Sequence, residues 1–415
     1  MIRFKLSTSL ENVRPEIEYV LRVWAKNQGL EISFGDDFDN GISIGHDDES
    51  HLKISADFVN TPTAFARSSL HAGKIYIIEN AFKLLNCVQE YCHTDVDDLG
   101  RFKFRNSYQY QLKNHTENLV QKLFEHLSTQ VGVTPVSQKT KFFLTHDIDL
   151  VNGAILEDGF YVLKRGRVDL FLKMLFNVAM CKPDWLNIDK IMKLESEYDC
   201  RSTFFWIVNK GKINQRERNA DYSFNASKIQ DQLKEVTRNK FENGIHKSIS
   251  SESFADEFKK FGTTPFSNRY HYLKFQLPDA FHDIDAAGLQ LDASLGFAEE
   301  IGFRNSYGLP FNPYNIKEQS PFAFIEAPLH VMDRTFFQYK KSSTEEAEKD
   351  ILGFFERNKT NCLLSVLWHN NFFTNYKFKG YLDIYKRILA YIRDNKFETI
   401  NSHDIVKNYS ITHEH

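Results

Sequence analysis

The chain has 415 residues, of which 42% are hydrophobic and 26% charged, and a formal net charge of -3. This length exceeds what one ordinary core absorbs and points to two or three domains. The near-balanced charge excludes a general polyanion-binding surface, so no nucleic-acid partner is expected. The cysteines Cys87, Cys92, Cys181, Cys200 and Cys362 form no Cys-x-x-Cys pair, which argues against a disulfide framework or a cysteine zinc site. Met1 to Ser7 lack a long apolar segment, and no apolar stretch reaches spanning length, so neither a secretory signal nor a transmembrane segment is expected. The expected location is the cytoplasm.

Residues 1–130 read as one α/β unit. Pro15 to Lys26 has helical spacing, with Ile17, Val20, Leu21 and Trp24 on one face. Leu30 to Phe34, Gly41 to Gly45, Leu52 to Ala56 and Lys74 to Ile78 read as short strands, and His115 to Leu127 as a helix. The acidic run Gly45-His46-Asp47-Asp48-Glu49 reads as a turn, with a metal site as the alternative. Residues 131–140, polar and broken by Gly132 and Pro135, read as a linker.

Over 141–410 strands and helices alternate. Phe142 to Ile148, Ser202 to Val208, Ala323 to Glu326 and Cys362 to Trp368 read as strands. Ile188 to Tyr198, Ala226 to Asn239, Phe254 to Phe261, Leu273 to Ala287, Glu345 to Arg357 and Leu382 to Arg393 read as helices. This alternation predicts a parallel sheet or a barrel, with its site at the carboxyl ends of the strands. The basic, apolar stretch from Lys164 to Phe176 reads as an amphipathic packing helix, with a membrane-surface helix as the alternative.

Thr145-His146-Asp147-Ile148-Asp149-Leu150 closes the first of these strands. At strand period Asp147 and Asp149 share a side. Burying paired carboxylates is costly unless a metal or a shared proton offsets it, and a solvated turn is the plainer alternative. His246 follows Gly244 and Ile245, Arg269 begins the run Arg269-Tyr270-His271-Tyr272 that opens a helix, and His369 follows Leu367-Trp368. Asp147, Asp149, His246 and His369 thus fall at or just after strand ends. His146 lies on the opposite strand face and reads as a packed histidine. Asp283 and Asp285 read as solvated helix residues, and His403 as part of a helix N-terminus.

Taken together, these segments resemble the NodB-homology polysaccharide deacetylases, over roughly residues 141 to 400. The closest likeness is to a subgroup with a Thr-His-Asp-x-Asp first motif and an extra N-terminal domain. Ser202-Thr203-Phe204-Phe205, Asp292-Ala293-Ser294-Leu295-Gly296-Phe297, Gly302-Phe303-Arg304 and Glu326-Ala327-Pro328-Leu329 carry further likeness. The resemblance implies a distorted (β/α) barrel preceded by a smaller α/β domain. It implies Asp147 as catalytic base, Asp149 and His246 as metal ligands, Arg269 as the partner of the base and His369 as general acid. Its second histidine is replaced here by Ser250, and a customary proline by His271. His271 then supplies the missing imidazole, or is a packed residue, or the site has lost its metal.

The chemistry is consistent with those residue types. Amide hydrolysis needs a cation to polarise the carbonyl, a carboxylate to take the proton of water and a protonated imidazole for the leaving amine. The expected function is metal-dependent removal of an N-acetyl or related acyl group from a sugar or glycan precursor, with zinc as the expected metal. The alternatives are hydrolysis of another carbon–nitrogen bond in a small molecule and a non-catalytic glycan-binding module.

Overall fold

A computed structural model of the chain describes residues 1–35, 41–47, 49–60, 76–91, 93–180, 183–214 and 217–411. The first sheet is parallel and four-stranded, with β1 (Ile2–Leu6), β2 (Ile32–Gly35), β3 (Ile42–Gly45) and β4 (Leu52–Lys53) in the order β2-β1-β3-β4. Helix α1 (Arg14–Gln28) buries Ile17, Val20, Leu21 and Trp24, carries Pro15 in its first turn and stops at Gly29, whose φ of 64° suits glycine. Short helix α2 (Ala56–Asn60) takes over where a strand was expected to continue.

Helix α3 (Ile77–Leu85) corrects the strand expected at Lys74 to Ile78; Lys74 and Ile75 lie outside the described residues. All nine α3 residues are buried, and the expected strand overlaps the helix only at Ile77 and Ile78, too few residues for a period to register. Helices α4 (Tyr108–Gln111) and α5 (Leu119–Gln130) follow; α5 starts four residues later than expected, where Asn118 accepts from the Gln121 N–H.

The second sheet carries the site. Its strands are β5 (Lys141–Ile148), β6 (Ser202–Trp206), β7 (Glu242–Lys247), β8 (Ser267–Tyr270) and β9 (Leu291–Asp292), then, beyond the antiparallel pair β10 (Tyr314–Asn315) and β11 (Ser320–Pro321), β12 (Ile325–Glu326), β13 (Val331–Met332), β14 (Leu363–Leu367) and β15 (Glu398–Thr399). Their order is β12-β9-β8-β7-β6-β5-β14-β13, with β15 beside the start of β5, and every pairing among the described residues is parallel. The sheet is a distorted, open (β/α) barrel. Its helices are α6 (Ala154–Lys164), α7 (Val168–Ala179), α8 (Ile188–Ser196), α9 (Ser227–Arg238), α10 (Phe254–Phe261), α11 (Asp279–Ala286), α12 (Thr344–Arg357), α13 (Tyr381–Asp394) and α14 (Ser402–Tyr409).

Two expectations after β7 are corrected. Arg269 lies within β8 rather than opening a helix. The helix expected from Leu273 begins only at Asp279, because Pro278 cannot donate within a helix and Tyr272 and Leu273 take φ of 60° and 52°. One hydrophobic cluster runs from Phe4, Trp24 and Phe82 in the first unit to Phe204, Leu291 and Tyr314 in the second. The buried Glu90–Arg304 pair, at 2.6 and 2.9 Å, joins the two units.

Candidate active site

The β5 pleat sorts the first motif into two faces. Thr145, Asp147 and Asp149 turn toward the cleft, whereas His146 turns into the helices. His146 Nδ1 lies 2.7 Å from the Trp368 carbonyl and Nε2 2.8 Å from Glu195, whose carboxylate also accepts from Ser202 and Tyr385. His146 is therefore a packed, hydrogen-bonded residue that ties β5 to the chain just before His369.

Asp147 accepts from Arg269 Nη1 at 3.0 Å. Arg269 is fully buried; its Nη1 also donates to Thr145 Oγ1 at 2.7 Å and its Nε to the Ala293 carbonyl at 2.8 Å, and its guanidinium lies over the Phe205 ring at 4.7 Å. Charge, hydrogen bonds and stacking together compensate the cation's burial.

Asp149, His246 and His271 bring one ligand atom each within 4.8 Å of one another, all buried. Asp149 Oδ1 lies 3.4 Å from His246 Nε2 and 3.5 Å from His271 Nδ1, and has no hydrogen-bond partner. Each imidazole is oriented by a carbonyl, which can only accept: His246 Nδ1–H donates to Arg269 and His271 Nε2–H to Arg218, both at 2.9 Å. The remaining nitrogens face each other across 3.1 Å. Burial disfavours an imidazolium at His271 and lowers its pKa to about 4. Burial opposes charge at His246 too, but Asp147 and Asp149 outweigh it and raise its pKa. The Asp149 carboxyl is held well below its usual range, because the surrounding imidazoles outweigh burial. A buried carboxylate oxygen and two imidazole nitrogens without donors are a donor set for a divalent cation, so these residues fit one. Ser250 is instead engaged with Asn209 and Ser248, at 3.0 and 2.7 Å.

His369 follows β14 and is oriented by Asp333, a buried residue after β13. Asp333 accepts from His369 Nδ1–H at 2.8 Å and from its backbone N–H at 2.6 Å. This leaves Nε2 toward the cleft, 3.6 Å from Asp149 Oδ2. Arg334 Nη2 approaches the same oxygen at 3.6 Å. The cleft measures about 770 Å³ and holds Asp147, Asp149, His246, His271 and His369. Residues 96–105 of the first unit form one wall: Arg101 donates to the Tyr272 carbonyl at 2.8 Å and to Tyr339 Oη at 3.1 Å.

Asp333, Arg334 and the Arg101 wall escape sequence reasoning. The one available signal for Asp333 was its place after the apolar pair Val331-Met332. Other candidates lie elsewhere. Asp47 accepts from Ser50 at 2.6 Å, and Asp48 lies outside the described residues. Asp285 accepts from the Ala323 N–H at 2.8 Å, and Asp283 is exposed. His403 stacks on Phe266 at the start of α14.

No family model and no curated protein matches the chain. Among solved structures, a candidate polysaccharide deacetylase from Mycobacterium smegmatis is similar at 10% identity and TM-score 0.43, over 66% of this chain and 90% of that one. The Bc1960 peptidoglycan N-acetylglucosamine deacetylase is similar at 12% identity and TM-score 0.34, over 64% and 87%. The Puue allantoinase is similar at 12% identity and TM-score 0.43, over 66% and 92%.

Proposed function

We propose that this chain is a metal-dependent hydrolase of an amide or related carbon–nitrogen bond, with N-acylated sugars as its substrate class and zinc as its metal. The observation that carries the reading is the buried set of Asp149 Oδ1, His246 Nε2 and His271 Nδ1, which has acceptors on three sides and sits between Asp147 and His369. A divalent cation held by these three residues would polarise the amide carbonyl and make water a better nucleophile at neutral pH.

The chain's own residues divide the proton transfers. Asp147 would take the proton of the attacking water, with its Oδ2 3.4 Å from His246 Nε2 and its charge compensated by Arg269. His369 Nε2 would donate a proton to the nitrogen as the carbon–nitrogen bond breaks, its ring held by Asp333. The products are a carboxylate and a free amine. A cleft of about 770 Å³ accommodates a sugar of more than one ring.

The test is elemental analysis of the purified chain and of Asp149→Ala with His246→Ala, followed by a panel of N-acetylated sugars and small amides. One bound divalent ion, lost in the double variant, with amine release from acetylated sugars supports the reading. A chain that takes up no metal on reconstitution overturns it.

A further inference from the structure

Of fourteen large apolar side chains exposed among the described residues, nine lie between Leu156 and Met180, on the helix pair α6–α7. They are not scattered. Leu156, Phe160 and Leu163 follow one face of α6, and Val168, Leu172 and Phe176 one face of α7, at spacings of three and four residues. Leu156 is 78% exposed, Phe160 70% and Phe176 64%. The opposite faces are already used. Val162 and Met174 are buried in the barrel's second core, and Gly159 lets α6 approach the Phe171 ring so closely that an added Cβ would lie 3.1 Å from it. The outer apolar faces are therefore surplus to folding, and contiguous surface of this kind marks an interaction site.

Charge identifies the occupant. The exposed ionic side chains of the hairpin are Lys164, Arg165, Arg167 and Lys173 against Asp169 alone. Its other acids face inward: Asp158 accepts from Trp185, and Glu157 from Arg218 and Lys377. A second copy docking through a twofold axis would bring these cations against each other. An anionic lipid surface complements both features, since cations beside an apolar helix face meet phosphates at the depth where that face meets acyl chains. At 11 and 12 residues the helices are too short to span, and among the described residues no helix is long and apolar enough to cross a membrane.

We propose that the α6–α7 hairpin is a monotopic docking surface for an anionic membrane. The hairpin is also fixed to the site: α6 starts five residues after Asp149, and Glu157 accepts from Arg218, whose carbonyl orients His271. Resting on the hydrolase reading above, docking would offer the cleft an amide carried on a membrane-held amphiphile.

Vesicle flotation of the full chain, with no substrate present, tests the docking independently of turnover. The chain is expected to float with phosphatidylcholine vesicles containing phosphatidylglycerol, and about tenfold less with phosphatidylcholine alone. Leu156→Ser, Phe160→Ser, Leu172→Ser and Phe176→Ser combined should abolish flotation with circular dichroism unchanged. Lys164→Glu with Arg165→Glu, a second and milder variant, should weaken it about tenfold on the anionic vesicles only. Failure of the unaltered chain to float overturns the proposal, whether it sediments as a monomer or as a dimer that the serine variant dissociates.

Discussion

His246 Nε2 and His271 Nδ1 face each other across 3.1 Å with their other ring nitrogens already donating to backbone carbonyls. Two such nitrogens beside the unpartnered Asp149 Oδ1 need a cation or a proton among them. In the proposed site the second imidazole is that of His271, just after β8, while Ser250 is engaged with Asn209 and Ser248.

His271→Ala should therefore lower metal affinity by more than the roughly 10- to 100-fold that loss of an outer partner costs. Ser250→Ala should leave it unchanged. Competition with a chromogenic chelator reads both. Tight binding retained in His271→Ala would show that this imidazole is a packing residue.

Much of this was legible from pattern alone. The run Phe142-Phe143-Leu144 followed by alternating Asp147 and Asp149 marks a buried strand ending in a site, and β5 runs eight residues, long enough for period to register. By contrast, β9 and β13 have two residues each, too few for any period, so Asp292 and Asp333 had no strand to place them, whereas the strand read over Ala323 to Glu326 is observed as the two residues of β12. The start of α3 falls in a strand expectation because Tyr76, Ile77 and Ile78 are aromatic and β-branched, a local preference that the helix overrides. The Arg101 wall was invisible for another reason: it depends on a contact 171 residues away in the chain, with Tyr272.

Asp333 uses both carboxylate oxygens on His369, one for Nδ1–H and one for the backbone N–H. Asparagine offers one acceptor where two are needed. Asp333→Asn should reduce kcat by about 100-fold or more while KM and metal content stay near those of the unaltered chain. In a His369→Ala background the same change should cost little more, because the two residues act as one unit. Full additivity in steady-state kinetics would break that link.

Asp292 and Glu326 are in-register neighbours on β9 and β12, both fully enclosed. Burial is the main reason both carboxyls are raised, and the nearby Asp292 raises Glu326 further. Glu326 Oε2 has no hydrogen-bond partner, and a proton on Glu326 would relieve the repulsion between the two carboxyls. A folded-state pKa above the unfolded value contributes stability that is complete below the unfolded pKa, about 4.3, and is lost as pH rises through the folded pKa. Glu326→Gln mimics the protonated form without titrating. Its Tm should match the unaltered chain at acidic pH and exceed it increasingly as pH rises. Parallel Tm profiles would mean that Glu326 holds no such proton.

Gly244 illustrates how the site depends on a residue with no side chain. It lies in β7 two residues before His246, and a Cβ there would lie 2.6 Å from the Phe205 ring and 2.7 Å from Ser267 Oγ. Phe205 sits on β6 and its ring underlies the Arg269 guanidinium, which holds Asp147. A methyl group at 244 therefore presses on the ring beneath the partner of Asp147, in a core too dense to yield freely. Gly244→Ala should cost about 1–3 kcal/mol of stability, the usual range for overpacking. Because the displaced ring bears on Arg269, the variant should also lose activity beyond what its folded fraction explains. Phe205→Leu would relieve the clash. In the Gly244→Ala background it should restore part of the stability, although it removes the ring beneath the guanidinium. Chemical denaturation of the two single variants and the double variant measures that coupling, and additive losses would show that Gly244 and Phe205 do not meet in solution as they do in this structure.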